Sequence, residues 1–271
     1  VGWSAYFLGV CAIVFSGIVL KKTKMFAGQP APFVMELPAY HMPRPIDILK
    51  SMGERGMSFV KKAGTIILLA TILVWFLSRF NFQMQYLPEE DMDTSILAAF
   101  GNAFTWLFAP LGWGKWKAVV AALTGLIAKE NVVGTFGTLF HYQGAEELAE
   151  AGDQIWAQVR EYFGNGIAGY SFLAFNLLCA PCFAAIGAIK REMNNGRWTM
   201  FAIGWECFLA YCVSLVIYQI GGLIAGVVSF NFFTIVAIAL ILIGIWGLLR
   251  PYKEAETLSE KQERAVEKAM A

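Results

Sequence analysis

Apolar residues gather in seven long stretches, parted by short runs of charge and proline. Trp3 to Leu20 closes on Lys21-Lys22-Thr23-Lys24, and Gly64 to Phe80 follows Lys61-Lys62. Ile96 to Trp113 ends at Pro110 and Gly112, while Ala118 to Phe140 contains Lys129-Glu130. Tyr170 to Ile189 closes on Lys190-Arg191; Trp198 to Ile224 and Phe230 to Leu249 complete the set. A helix needs about 20 apolar residues to cross a bilayer core, and only helices or closed barrels satisfy their backbone there. The pattern therefore predicts an all-α, polytopic membrane bundle, with a permease domain over residues 1–249 and a tail over 250–271. The third stretch is short, so it either crosses or re-enters.

Between these stretches the polar positions predict further pieces. Ile46 to Lys62 mixes Ile, Leu, Met and Phe with Lys50 and Arg55, as an interfacial cationic helix does. The prolines of Leu37-Pro38-Ala39-Tyr40-His41-Met42-Pro43 predict an extended strap ahead of it. Leu148, Ile155, Trp156, Val159, Tyr162 and Phe163 recur at helical spacing, which predicts an amphipathic helix over 145–163. The tail from Lys253 to Ala271 alternates charge and is rich in Ala, as a solvated or disordered segment is.

Charge orients the bundle. Residues 21–62 carry eight Lys and Arg, and Lys190 to Arg197 and the tail are basic too, so all three are expected in the cytoplasm. Pro88 to Asp93 has four acids and no Lys or Arg, and His141 to Gly169 has five acids and one Arg, so both are expected outside. Seven crossings, with the amino terminus outside and the carboxyl terminus in the cytoplasm, satisfy these assignments. They place Lys115 and Lys117 inside, provided the third stretch crosses.

Composition sharpens the class. Of 271 residues 58% are hydrophobic and 15% charged, with a mean hydropathy of +0.56; soluble domains carry about 25% charged residues. A net charge of +1 without a basic tract gives nucleic acid no binding surface. Cys11, Cys179, Cys182, Cys207 and Cys212 all lie in apolar stretches, an odd set that reads as reduced thiols. Val1 opens almost inside an apolar stretch with no Met or signal peptide, which predicts a piece of a longer polypeptide.

The chemistry concentrates at Cys179-Ala180-Pro181-Cys182. Pro181 has no N–H, so the carbonyl of Leu177 loses its usual helical donor. Two thiols, one helical turn apart and on one face if the helix persists, then sit beside a loose carbonyl at membrane depth. That combination suits a metal ion in transit; packing of two small hydrophobes is the alternative. Lys129-Glu130 is the second constellation, because charge inside a membrane is costly and marks functional sites. Glu130 is the candidate ligand, Asn131 lies on the polar stripe beside it, and Lys129 is expected to be a structural counter-charge. In the sixth stretch Glu206, Ala210, Ser214 and Tyr218 recur every four residues beside Cys207 and Cys212, and could line a cavity or let Glu206 snorkel. Gly222-x-x-x-Gly226 is a weak helix-packing signal. Gly164-Asn-Gly166-Ile-Ala-Gly169 matches a dinucleotide fingerprint only as a string, since no strand precedes it. His41 and His141 lie outside the apolar stretches, and no P-loop motif occurs.

Three strings resemble one family. Leu178 to Glu192 (LCAPCFAAIGAIKRE) is similar to the second gate motif of the bacterial ferrous iron transporter FeoB, and Leu123 to Val133 (LTGLIAKENVV) resembles it too. So does Glu36-Leu-Pro-Ala-Tyr40 ahead of Phe59-Val-Lys-Lys-Ala-Gly-Thr65. The resemblance implies a membrane permease for Fe²⁺, with Cys182 as ligand of the transported ion; with the residues read above, this predicts an inner-membrane site where Fe²⁺ meets Cys182 with Cys179 beside it and Glu130 or Glu206 compensating charge. It further implies a cytoplasmic GTPase domain, a helical regulatory domain and a first gate ahead of Val1, covalently or as a separate chain, and leaves a homo-oligomer open. This chain would hold no cofactor and no catalytic residue. Fe²⁺ is borderline-soft and low in the Irving–Williams order, so a few thiolate, carboxylate and carbonyl ligands would release it. The other readings are a gate-type permease for an organic solute such as a nucleoside, a membrane thiol oxidoreductase using Cys179 and Cys182, and a non-transporting scaffold.

Overall fold

The computed structural model describes residues 2–23, 26, 44–125, 129, 132, 136 and 159–251. Within them the regular structure is helical: α1 (Gly2–Lys21), α2 (Pro45–Arg79), α3 (Ile96–Phe108), α4 (Trp116–Gly125), α5 (Gly166–Leu178), α6 (Phe183–Met193), α7 (Gly196–Ile224) and α8 (Phe232–Leu249). The strap, the tail, Glu130, Asn131, His41, His141 and most of the 145–163 segment lie outside the described residues. Among the described residues α1, α7 and α8 are long and apolar enough to cross a membrane. Large side chains such as Trp3, Ile13, Ile243 and Leu249 stand exposed on α1 and α8, as lipid-facing helices require.

The ends of the helices follow from the sequence. Ser95, Asn165, Asn195 and Asn231 each accept an N–H of the first turn of α3, α5, α7 and α8. Proline at the first position of α2 suits a helix start, and none follows to break it, so the expected interfacial helix over 46–62 is continuous with the apolar stretch behind it. Gly226, at φ +70°, ends α7 with Val227 N–H on Gly222 O at 2.8 Å. A Cβ on Gly222 would run into Val228 of that same turn, so the Gly222/Gly226 spacing builds a cap and not a helix-packing motif.

α5 and α7 form the centre of the bundle. Ser171 and Ser214 are fully buried between them; Ser214 Oγ donates to Ser171 O at 2.8 Å, and Ser171 Oγ lies 2.7 Å from Ser214 Oγ and 2.9 Å from Leu111 O. Ala210 and Ser214 are therefore packed against α5 and line no cavity. Phe108, Trp113, Phe172 and Phe175 stack around this contact. α8 joins through Gln219, whose Oε1 accepts from Thr234 Oγ1 at 3.3 Å and whose Nε2 donates to Pro110 O at 2.7 Å. α1 joins at the other end of α7, where Trp205 Nε1 donates to Ser16 Oγ at 3.1 Å.

The third and fourth stretches bend on each other. α3 continues into a 3-10 turn at Ala109–Leu111, and the axis of that segment makes 94° with α4. Lys115 donates to Tyr162 O and sits 4.6 Å from the Tyr162 ring centroid. Trp116 Nε1 donates to Asp93 Oδ1 at 3.1 Å. Groups in contact cannot face each other across a hydrocarbon core of about 30 Å. Lys115, Asp93 and Tyr162 lie close together, whereas seven crossings would put Lys115 on the side opposite the other two.

Candidate metal-conducting site

Pro181 breaks the fifth stretch into two helices. α5 closes with Cys179 N–H on Phe175 O at 2.8 Å, and Cys179 and Cys182 both take extended backbone, φ −64° and −60°, ψ 164° and 158°. α5 and α6 have 13 and 11 residues, so at 1.5 Å per residue the break lies about 20 Å from one end of the pair and about 17 Å from the other. The helix does not persist through the proline, so Cys179 and Cys182 do not share a helical face.

Each side chain at the break has a different setting. Cys179 is buried, with its sulfur 3.6 Å from the sulfur of Cys207 on α7. Cys182 and Pro181 are half-buried, and Cys182 is the N-cap residue of α6, its carbonyl accepting from Ile186 N–H at 3.0 Å. Its thiol caps nothing. Leu177 leaves its side chain exposed, and its carbonyl accepts from Lys129 Nζ at 3.1 Å. The same ammonium reaches Cys179 O at 3.4 Å. Lys129, expected as a counter-charge, is thus the donor that covers the carbonyl the proline leaves open and a second carbonyl at the break.

Glu206 comes from α7, next to Cys207. Its Oε2 is buried and has no hydrogen-bond partner among the described residues. Lys129 is within electrostatic reach of both Cys179 and Glu206. The break thus brings Leu177, Cys179, Pro181, Cys182, Glu206 and Cys207 to one region, with Lys129 entering from another part of the chain. Among the described residues no three His, Cys, Asp or Glu side chains converge so as to hold a metal ion. Open, mixed ligands suit a cation that must leave again. Two features escaped the sequence: the approach of Cys207 to Cys179, and the Lys129 cap. The second had a signal, since an orphan carbonyl in lipid needs a donor and Lys129 is an intramembrane one.

A cavity of about 530 Å³ lies elsewhere, among α1, α7 and α8, lined by Leu8, Phe15, Trp205, Phe208 and Leu240. Its walls offer few polar partners for a nucleoside.

Apolar helices, three of them long enough to cross a membrane among the described residues, define the class as a helical membrane protein. The family models agree by region: residues 3–55 match the model described as "Ferrous iron transport protein B C terminus", and residues 60–196 the one described as "Nucleoside recognition". The chain is 36% identical over 227 residues to a protein of Methanocaldococcus jannaschii named Fe(2+) transporter FeoB, covering 82% of this chain and 32% of that protein. It is 32% identical over 294 residues to the Escherichia coli K12 protein of the same name, covering 92% and 37%. With a Porphyromonas gingivalis protein named as a fusion of Fe(2+) transport protein A and FeoB it shares 33% over 255 residues, 80% of this chain and 30% of that protein. The chain belongs to the FeoB ferrous iron transporter family and corresponds to the carboxyl-terminal part of its members. It spans about a third of the length of these relatives. No solved structure matches it.

Proposed function

We propose that this chain is the carboxyl-terminal gate of an Fe²⁺ transporter in the cytoplasmic membrane, and that Fe²⁺ passes the break between α5 and α6. The observation that carries the reading is the interrupted helix at Cys179 to Cys182. It groups two backbone carbonyls, the Cys179–Cys207 thiol pair and the half-buried Cys182 thiol within one break of an apolar stretch. Broken helices at the bilayer midplane are where membrane transporters hold ions. Cys182, with an uncommitted thiol at the start of α6, is the first ligand; Cys179 and Cys207 follow, and Glu206 with Glu130 and Asn131 supplies charge and polarity. The GTPase domain and first gate of the same transporter are the required partners, with Fe²⁺ as cargo.

The topology we propose has five crossings: α1, α2, the α5–α6 pair, α7 and α8. In this reading residues 96–125 turn back toward the outer side, supported by the Lys115–Tyr162 and Trp116–Asp93 contacts. This keeps the basic 21–62 loop, Lys190 to Arg197 and the carboxyl terminus in the cytoplasm and the 141–169 segment outside.

The test is ⁵⁵Fe²⁺ uptake by the full-length transporter under anaerobic conditions. Cys182→Ser should abolish uptake at unchanged membrane level. Uptake equal to the parent protein would remove Cys182 from the pathway.

A further inference from the structure

The groups around the break are almost all acceptors. Leu177 O and Cys179 O converge on Lys129 Nζ at 3.1 Å and 3.4 Å. Glu206 Oε2 is buried with no partner, and the sulfurs of Cys179 and Cys207 lie 3.6 Å apart. Carbonyl oxygen and thiol sulfur belong to the donor set that a borderline divalent cation takes, and the Glu206 carboxylate adds negative charge within electrostatic reach of Lys129. Glu206 Oε2, buried without a partner, carries an uncompensated desolvation cost. Among the described residues, Lys129 is the cation that meets this need. Its ammonium is a compact charge with three donors on a flexible four-carbon stem, so it can leave by rotation of the side chain alone.

We propose that the Lys129 ammonium is a tethered occupant of a cation seat at the helix break, and that a divalent ion fills the seat by displacing it. The inference rests on the transport reading above and adds a source of selectivity. A monovalent cation entering the seat replaces one unit of charge with one unit and must expel a tethered competitor. A divalent cation brings an extra charge to the same acceptors and wins the exchange. Lys129 therefore sets the metal concentration at which the seat fills, and it holds Na⁺ and K⁺ out.

The experiment uses the full-length transporter in proteoliposomes, with anaerobic ⁵⁵Fe²⁺ uptake measured against Fe²⁺ and K⁺ concentration. Lys129→Met should lower the half-saturating Fe²⁺ concentration about tenfold, the size expected when a charged hydrogen-bonded competitor is removed. It should also make uptake sensitive to K⁺, while Lys129→Arg, which keeps the charge, stays insensitive. A Lys129→Met protein with unchanged half-saturation and only a lower maximal rate would overturn the proposal, since that is what loss of a structural cap gives. The parent protein provides a measurement that does not depend on a variant folding. Acetylation of Lys129, read by mass spectrometry, should quicken when saturating Co²⁺ displaces the ammonium; a rate indifferent to Co²⁺ also overturns the proposal. Absence of saturable Fe²⁺ uptake in the parent protein would instead remove the transport reading, and the acetylation rate would still decide the role of Lys129.

Discussion

The sulfur of Cys179 lies 3.6 Å from that of Cys207, although 28 residues separate them. The contact ties the break between α5 and α6 to the middle of α7. Only a small shift closes this gap to a disulfide length of about 2.05 Å. Mild oxidation with copper phenanthroline should therefore yield a Cys179–Cys207 crosslink in preference to Cys179–Cys182, read by non-reducing peptide mass spectrometry. Because the crosslink would hold the break against α7, it should also lower iron uptake reversibly, with recovery on reduction. A dominant Cys179–Cys182 bridge would favour the thiol-oxidoreductase reading.

Lys115 provides the sharpest test of topology. Its contact with Tyr162, and that of Trp116 with Asp93, put residues 93, 115 and 162 at one end of the bundle. In a cysteine-free parent, a membrane-impermeant maleimide should label Lys115→Cys and Asp93→Cys from outside in intact cells. Arg250→Cys should be labelled only after permeabilisation. Labelling of Lys115→Cys from the cytoplasmic side alone would restore the crossing of the third stretch.

Gly112 sits at φ +88°, and a Cβ there would overlap the ring of Tyr218 on α7. Gly164 shares the left-handed backbone, φ +72°, but has open space around its Cβ position. Both alanine variants carry the same backbone strain, of about 1 kcal/mol. Gly112→Ala should add about 1–3 kcal/mol of overpacking. Thermal unfolding in detergent should rank Gly112→Ala clearly below Gly164→Ala, and equal midpoints would show that Tyr218 moves aside freely.

The helices themselves were legible in the sequence because lipid imposes a simple rule of length and polarity. α1, α7 and α8 fall within two residues of the apolar stretches from Trp3, Trp198 and Phe230. The break at Pro181 was legible for the same reason, since a missing N–H has a fixed consequence one turn back. Hydropathy does not encode where a short apolar helix turns around. Whether α3 crosses depends on Lys115 finding Tyr162 and on Gln219 holding Pro110, contacts between residues 47 and 109 positions apart. In the stripe of Glu206, Ala210, Ser214 and Tyr218, Ala210 and Ser214 are buried in the helix contact for a related reason. A polar residue on a membrane helix can face water or another helix, and only Ser171 on α5 decides between them. The site residues at the break were readable one by one, but their grouping with Cys207 and Lys129 needed the fold.

Gln219 shows how such contacts are held in a bundle that gains nothing from hiding apolar surface in lipid. Its amide bonds Pro110 O at 2.7 Å and Thr234 Oγ1 at 3.3 Å, so one side chain links the turn after α3, α7 and α8. Interhelical hydrogen bonds in membranes contribute about 0.6 kcal/mol on average, up to about 1.7. Leaving a buried acceptor bare costs more than the bond itself contributes. Pro110 O would be left bare in Gln219→Leu, whereas Thr234 Oγ1 keeps Asn231 Oδ1 at 3.3 Å. Gln219→Leu should therefore destabilise by about 1–2 kcal/mol, and Thr234→Val by less. The double variant should be less destabilised than the sum of the two, because the shared bond is lost only once. Unfolding in mixed micelles gives the cycle directly. Strict additivity would mean that Gln219 acts through Pro110 alone, and that α8 is held by packing against α7.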